Sequence, residues 1–200
     1  MPAPPSDQPT FLIIAGPNGS GKSTAYQKSV VMLGERSFRI INPDLFSARI
    51  AALEDLSPSE ANLEAVRRIE AWLETSLLAG HTIGVETVLS TEKYRRLVTM
   101  AKRIGYLFQL IYVMLDDPQR NVERVHTRVM NGGHAVPDDK IIARYYRSLE
   151  QMAWFLNEAD HASIYDNSGA EPRQVGSKKQ GAVKIEGDAP LALRVALKLT

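Results

Sequence analysis

The stretch Phe11-Leu-Ile-Ile-Ala-Gly-Pro-Asn-Gly-Ser-Gly-Lys-Ser-Thr24 decides the fold of this 200-residue chain. Residues 11–14 are a short apolar run of the kind that forms a buried strand, and Gly16 ends that run. Residues 16–23 then match the pattern G-x-x-x-x-G-K-[ST] at every fixed position, and a helix is expected from Lys22 to about Leu33. A strand, a glycine-rich turn and a helix in this order predict a P-loop, which holds the phosphates of a nucleoside triphosphate.

Each fixed position of the pattern has a chemical reason. Glycines lack a Cβ, so the backbone N–H groups of the loop can turn inward around a phosphate. Lys22 would reach the β- and γ-phosphates, and the Ser23 hydroxyl can ligate Mg²⁺. The sequence therefore predicts ATP and Mg²⁺ as cofactors. The expected ATP contacts from the loop are Gly16, Pro17, Asn18, Gly19, Ser20, Gly21, Lys22, Ser23 and Thr24.

The rest of the chain alternates apolar runs with amphipathic stretches. Strands are predicted at residues 38–41, 82–85, 107–115 and 163–165, with a weak strand pair within 171–187. Helices are predicted at residues 91–104, 118–130, 138–158 and 191–199. A further helix should follow the capping box Ser57-Pro-Ser-Glu60 and bury Leu63, Val66, Ile69, Leu73 and Leu77. This alternation predicts an α/β fold with a parallel sheet of about five strands, helices on both faces and a helical lid.

Composition limits the possible partners and cellular location of the protein. The formal net charge is +1, so no basic surface points to a nucleic-acid partner. The chain has no cysteine, and no uncharged apolar stretch is long enough to cross a membrane. Residues 1–9 are a proline-rich lead-in without the pattern of a signal peptide. We therefore expect a cytoplasmic protein with one P-loop kinase domain over residues 10–200.

The predicted strand ends carry the candidate reactive carboxylates, because ligands of such sheets bind beyond the carboxyl ends of the strands. Asp44 is the candidate base that deprotonates an acceptor hydroxyl, and its structural alternative is a helix N-cap. Glu86 could hold a Mg²⁺-bound water or accept hydrogen bonds from substrate hydroxyls. Asp116 superficially resembles the metal-binding aspartate of other P-loop proteins, but starting the next helix is its favoured role.

The remaining sequence favours a kinase over other P-loop proteins. A guanine-specific N-K-x-D motif and an L-S-G-G-Q signature are absent, and 200 residues leave no room for the lid of a AAA-type motor. Basic side chains that could neutralise a transferring phosphoryl group follow the fourth strand, and they border a glycine break at residues 132–133 that would let a lid close. They are Arg124, Arg128, His134, Arg144 and Arg147; solvated helix faces are the alternative for each arginine. The other histidines form no ligand-spaced set, so no zinc site is predicted.

Four motifs together resemble the zeta toxins of bacterial toxin–antitoxin systems and their compact relatives. They are the loop Ala15-Gly-Pro-Asn-Gly-Ser-Gly-Lys-Ser-Thr24, Asn42-Pro-Asp44, Glu86-Thr-Val-Leu-Ser90, and Arg128-Val-Met-Asn-Gly-Gly-His-Ala-Val-Pro137 with Arg144-Tyr-Tyr-Arg-Ser148. The resemblance covers roughly residues 10–168. It departs from the longer zeta toxins at His134, where those proteins have an arginine.

The resemblance implies an ATP-dependent kinase that phosphorylates the 3′-hydroxyl of the sugar in UDP-N-acetylglucosamine and is blocked by an antitoxin protein. By motif, the implied catalytic residues are Asp44 as base, Lys22, and Arg128 with His134 at the transferring phosphoryl group. ATP would also contact Arg124 and Arg128. The implied substrate contacts are Asp44, Glu86, Thr87, Ser90 and Arg144. Two alternatives stay open: a kinase for another nucleotide or small molecule, and a nucleotide-dependent ATPase that binds a partner.

Overall fold

The computed structural model describes residues 8–27, 39–133 and 135–199. Strands and helices alternate along most of this part of the chain. Their order is β1 (Thr10–Ala15), α1 (Lys22–Gln27), β2 (Arg39–Ile41), α2 (Pro43–Glu54), α3 (Pro58–Leu78), β3 (Ile83–Thr87), α4 (Arg95–Arg103), β4 (Leu107–Met114), α5 (Pro118–Met130), α6 (Asp138–Glu158), β5 (His161–Asp166), β6 (Arg173–Lys179), β7 (Ala182–Ile185) and α7 (Leu191–Ala196).

All described strands belong to one seven-stranded sheet, with the order β2-β3-β1-β4-β5-β6-β7. The first five strands of that order are parallel, as predicted, and β4 lies in the centre. The predicted weak strand pair exists as β6 and β7, which extend the same sheet in antiparallel order. The predicted α/β class is therefore confirmed, with two strands added beyond the parallel five.

The apolar run of β1 is buried along its whole length because both faces of the sheet are covered. Phe11, Ile13 and Ala15 belong to the large core that α3, α4 and α6 form on one face. Leu12 and Ile14 belong to a smaller cluster with Ile111, Val113 and Tyr165 on the other face. Successive side chains of a strand point to opposite faces, which is why one continuous apolar run contributes to both clusters.

The predicted start of α3 is confirmed, but its predicted buried face is partly wrong. The Ser57 Oγ accepts a hydrogen bond from the Glu60 backbone N–H, and the Glu60 side chain accepts one from the Ser57 N–H. Leu63 is 67% exposed and Val66 is only half-buried, whereas Ile69, Leu73 and Leu77 are buried as predicted. The two small residues Ala61 and Ala65 continue the buried stripe at four-residue spacing, so Leu63 faces away from the sheet.

Other element boundaries differ from the predictions by a few residues. Helix α4 begins at Arg95 rather than residue 91, because residues 91–94 form a turn after β3. The part of the predicted first helix beyond residue 27 lies outside the described residues. Helices α5 and α6 have the predicted boundaries. Among the helices that the structure describes, none is long and apolar enough to cross a membrane.

Candidate functional site

The loop between β1 and α1 adopts a backbone that requires glycine. Gly16, Gly19 and Gly21 all have positive φ angles, of 145°, 74° and 88°. A Cβ on Gly21 would overlap the Nδ2 atom of Asn167, and a Cβ on Gly16 would overlap the carbonyl oxygen of Val113. The loop therefore approaches its neighbours as closely as a bare backbone allows.

Two asparagines hold this loop from outside. The Asn121 Nδ2 on α5 donates a hydrogen bond of 2.6 Å to the Asn18 carbonyl, and the Asn167 Nδ2 after β5 donates one of 2.8 Å to the Ser20 carbonyl. Arg124 in turn donates from Nη2 to the Asn167 carbonyl at 2.9 Å. Sequence reasoning missed both asparagine contacts. A polar residue on the apolar side of α5 was the available signal for Asn121, which is fully buried.

Lys22 is a buried cation folded back onto its own loop. It is 8% exposed, and its Nζ donates to the carbonyls of Gly16 at 2.8 Å and Pro17 at 3.0 Å. Burial lowers the pKa of Lys22, while the negative charges of Glu86 and Asp44 oppose that shift. A desolvated ammonium beside backbone N–H groups suits a phosphate ligand, because the ligand's charge would replace the hydration that the lysine has lost.

Ser23 and Glu86 form the part of the site that suits Mg²⁺. The Ser23 Oγ lies 2.9 and 3.0 Å from the two carboxylate oxygens of Glu86, and the Asn42 Nδ2 donates to Glu86 at 2.9 Å. Glu86 is 7% exposed and lies at the carboxyl end of β3, beside the loop strand β1. A hydroxyl and a carboxylate are the hard oxygen groups that Mg²⁺ takes together with phosphates and water. In the part of the chain that the structure describes, no three His, Cys, Asp or Glu residues cluster as a complete metal site.

Asp44 is exposed at the second residue of α2, and the capping of that helix is done by Asn42. The Asn42 Oδ1 accepts hydrogen bonds from the backbone N–H groups of Asp44 at 3.0 Å and Leu45 at 3.2 Å. The N-cap alternative for Asp44 was therefore wrong. The Asp44 carboxylate instead lines an open cleft and lies close enough to Lys22 to influence its pKa.

The cleft has a volume of about 530 Å³ and collects most of the predicted acceptor-side residues. Its walls come from the loop, the start of α2, the turn after β3, and the α5–α6 connection. The predicted residues that line it are Asn18, Asp44, Glu86, Thr87, Ser90, Arg128 and Arg144. Lys93 and Lys140 line it too, and sequence reasoning missed both.

The predicted basic residues lie in different parts of the structure. Arg144 lies 3.5 Å from the Asn18 Oδ1, at the junction of loop and cleft. Arg128 lines the cleft and supports the glycine break, since the Gly133 N–H donates to the Arg128 carbonyl at 2.9 Å. Arg124 lies beside Gly21 and Asn167, away from the cleft lining.

Three further residues lie outside the cleft or outside the structure. Arg147 is exposed and does not line the cleft. Asp116 is also exposed, and its carboxylate contacts the Ser168 hydroxyl at 2.8 Å and the Arg120 guanidinium at 3.2 Å. Asp117, rather than Asp116, caps helix α5. His134 lies outside the described residues, so its predicted role stays a prediction.

Comparison with known proteins adds the family and the fold relatives. A family model described as an AAA domain matches residues 11–152. An uncharacterized protein of Haemophilus influenzae is 25% identical over 136 residues, which are 67% of this chain and 91% of that protein. The family match covers the P-loop domain and does not by itself assign a motor activity to the chain.

Solved structures with similar folds include toxin–antitoxin and kinase proteins. A chain of the AvrRxo1-ORF1:AvrRxo1-ORF2 complex with sulphate ions has a TM-score of 0.68 at 19% identity, over 90% of this chain and 62% of that chain. A chain from the PezAT toxin–antitoxin system of Streptococcus pneumoniae has a TM-score of 0.58 at 18% identity, over 80% and 68%. A putative kinase from Chloroflexus aurantiacus has 0.53 at 20%, over 69% and 76%. The fold is thus that of P-loop kinases, and this chain spans less than two thirds of the AvrRxo1 complex chain.

Proposed function

Because this chain belongs to the AAA domain family, we propose that it binds ATP and Mg²⁺ on its P-loop and transfers the γ-phosphoryl group to a hydroxyl of a small molecule. One observation carries the proposal. Glu86, which pairs with Ser23 in an arrangement that suits Mg²⁺, lines the same cleft as the exposed carboxylate of Asp44 and the cations Arg128 and Arg144. Phosphoryl transfer needs these groups: a phosphate cradle, a metal site, a base and positive charge.

Each residue of the site has its own role in the proposed reaction. Lys22 and the loop backbone hold the phosphates, and Ser23 with Glu86 would hold Mg²⁺, which neutralises phosphate charge when it is bound. Asp44 accepts the proton of the acceptor hydroxyl as that oxygen forms its bond to the γ-phosphorus. The bond from the γ-phosphorus to the β–γ bridging oxygen breaks, and ADP leaves. Arg128 stabilises the charge of the transferring group.

The acceptor that we propose first is UDP-N-acetylglucosamine, phosphorylated on its sugar. A volume of about 530 Å³ lies within the usual range for pockets that hold small molecules. Among the described residues, four basic side chains line the cleft, at Lys93, Arg128, Lys140 and Arg144, against two carboxylates. Glu86 already accepts hydrogen bonds from Ser23 and Asn42, so the cleft favours an acceptor with its own negative charge. A nucleotide-sugar diphosphate meets this requirement, whereas a free sugar or a nucleoside does not.

A protein partner forms part of the same proposal. The resemblance to zeta toxins implies an antitoxin, and a chain of similar fold comes from a toxin–antitoxin system. Co-expression with a candidate antitoxin and measurement of ATP binding in the complex tests this part. Retained ATP affinity in a stable complex would contradict inhibition at the nucleotide site.

The direct test incubates the purified protein with γ-labelled ATP, Mg²⁺ and a panel of acceptors, followed by mass spectrometry. The panel contains UDP-N-acetylglucosamine, N-acetylglucosamine-1-phosphate, nucleoside monophosphates, free N-acetylglucosamine and nucleosides. We expect a product one phosphate heavier from the nucleotide sugar. Transfer only to a different panel member would keep the kinase and reject the acceptor. Release of inorganic phosphate alone would favour a partner-binding ATPase.

The role of Asp44 has a matched control on the same helix. Asp44→Asn keeps the size of the side chain but removes the base, so transfer should stop while ATP binding stays nearly intact. Asp55→Asn makes the same chemical change at the other end of α2, where Asp55 is exposed and adopts a left-handed conformation that asparagine tolerates. Equal activity of the two variants would exclude Asp44 as the base.

A further inference from the structure

The turn after β3 is held in a conformation that its own sequence disfavours. This turn begins at the last residue of β3 and spans residues 87–90; it is called the acceptor turn here because all four residues line the cleft. Leu89 has a φ angle of 57°, in the left-handed region that a leucine avoids, and its side chain is 2% exposed. Strained backbone of this kind persists only where surrounding contacts fix it, and such contacts cluster at functional sites.

Three hydrogen bonds fix the acceptor turn, and one of them is donated by the Gly16 backbone N–H of the P-loop to the Thr87 carbonyl at 3.2 Å. Within the turn, the Leu89 backbone N–H donates to the Thr87 Oγ1 at 3.1 Å. From outside, the Ser148 Oγ donates to the Val88 carbonyl at 2.7 Å. The hydrogen bond from Ser148 joins residues 60 positions apart and connects the turn to helix α6.

Ser148 is an unusual residue for its position, because it is fully buried in the interior of α6. A serine within a helix commonly bonds back to a carbonyl of its own helix or points to solvent. Here the Ser148 Oγ also lies 2.9 Å from the hydroxyl of Tyr112 on β4. Because the Val88 carbonyl can only accept, Ser148 must donate to it and accept from Tyr112. The hydroxyl of Ser148 thus donates one hydrogen bond and accepts another.

The position of Ser148 connects the two walls of the cleft. Arg144 lies one helical turn earlier on α6, lines the cleft and contacts Asn18 of the P-loop. Thr87 and Ser90 line the cleft from the acceptor turn, and Glu86 directly precedes that turn. The Ser148–Val88 hydrogen bond therefore sets how far the acceptor turn lies from the helix that carries Arg144.

We propose that Ser148 is a positioning residue whose hydroxyl holds the acceptor turn in place for acceptor binding. The kinetic part of this inference rests on the proposed kinase function. Loss of the hydroxyl lets Leu89 relax out of the left-handed region and moves Thr87 and Ser90 relative to Arg144. ATP binding depends on the P-loop, which Ser148 does not contact in the described structure.

The test compares two variants that share one change. Tyr112→Phe removes the Tyr112 hydroxyl but keeps the hydrogen bond from Ser148 to the Val88 carbonyl. Tyr112→Phe with Ser148→Ala also removes that bond, without leaving the Tyr112 hydroxyl buried and unpartnered, as Ser148→Ala alone would do. We expect the double variant to lose about tenfold in acceptor kcat/KM relative to Tyr112→Phe, with the KM for ATP changed less than about twofold. Equal acceptor kinetics in the two variants would overturn the proposal.

Hydrogen exchange gives a second readout that needs no activity. In the double variant, amide exchange of residues 87–90 should be faster than in Tyr112→Phe, while exchange of residues 19–24 in the P-loop should be unchanged. Unchanged exchange of residues 87–90 would overturn the positioning role even if the kinase activity is real. Faster exchange in a protein that transfers phosphate to no acceptor would support the positioning contact and reject the proposed kinase function.

Discussion

Substitution of Gly21 by alanine tests how closely the P-loop and Asn167 approach one another. Gly21 and Gly105 have the same φ angle, +88°, but a Cβ on Gly105 would meet nothing within 4 Å. Alanine in this region of φ costs about 1–2 kcal/mol at either position. At Gly21 the new Cβ also displaces Asn167 and breaks its 2.8 Å hydrogen bond to the Ser20 carbonyl, at about 0.5–1.5 kcal/mol. We therefore expect Gly21→Ala to cost about 1 kcal/mol more than Gly105→Ala.

Thermal and urea unfolding of both variants measure this difference. A loss of 1 kcal/mol shifts the melting temperature of a domain of this size by about 2–4 °C, so Gly21→Ala should melt about 2–4 °C below Gly105→Ala. Isothermal titration calorimetry should show a loss of ATP affinity of about tenfold or more for Gly21→Ala, because the displaced Asn167 no longer holds the Ser20 carbonyl of the loop in place. Gly105→Ala should bind ATP like the wild-type protein.

A double-mutant cycle identifies the partner of the new methyl group. Asn167→Ala removes the side chain that the Cβ would overlap, so Gly21→Ala in that background should cost only the backbone strain. The coupling energy should be about 1 kcal/mol. Equal losses for Gly21→Ala and Gly105→Ala, with additive behaviour in the cycle, would refute the close approach.

Three further substitutions, with one control at Asp116, test the charges of the site. Lys22→Met should abolish ATP binding but raise the melting temperature near neutral pH, because burial lowers the pKa of Lys22 and the charged lysine therefore destabilises the folded state. This gain in melting temperature should shrink as the pH rises towards 10.5, the ordinary pKa of a lysine. Glu86→Gln should raise the Mg²⁺ requirement for transfer by about 10- to 100-fold; exposed Asp116, changed to Asn, should alter it less than about twofold. Lys140→Ala should raise the KM for a phosphorylated acceptor severalfold without changing that for ATP, and an unchanged KM would argue for a neutral acceptor.

Local signals in the sequence determined the elements and the loop. Helices α5 and α6 begin and end where proline, acidic residues and periodicity place them, because such boundaries depend on neighbours a few residues away. The P-loop pattern likewise predicted a loop whose backbone needs glycine, and Gly16, Gly19 and Gly21 have positive φ angles that glycine adopts without strain. The convergence of Asp44 and Glu86 on one cleft followed from the rule that parallel strands end at one edge of the sheet.

Tertiary structure alone decided which polar groups meet. The sequence offered Asp44 as the possible cap of this helix, but in the structure the Asn42 side chain caps α2, which leaves the Asp44 carboxylate at the cleft. Leu63 fits an apolar stripe, yet the packing of Ala61 and Ala65 against the sheet turns it to solvent. The contact between Asn167 and Ser20 joins residues 147 positions apart. Hydrogen bonds act over about 3 Å in space, whereas sequence patterns report only on neighbours along the chain, so such pairings become visible only once the sheet has brought its strand ends together.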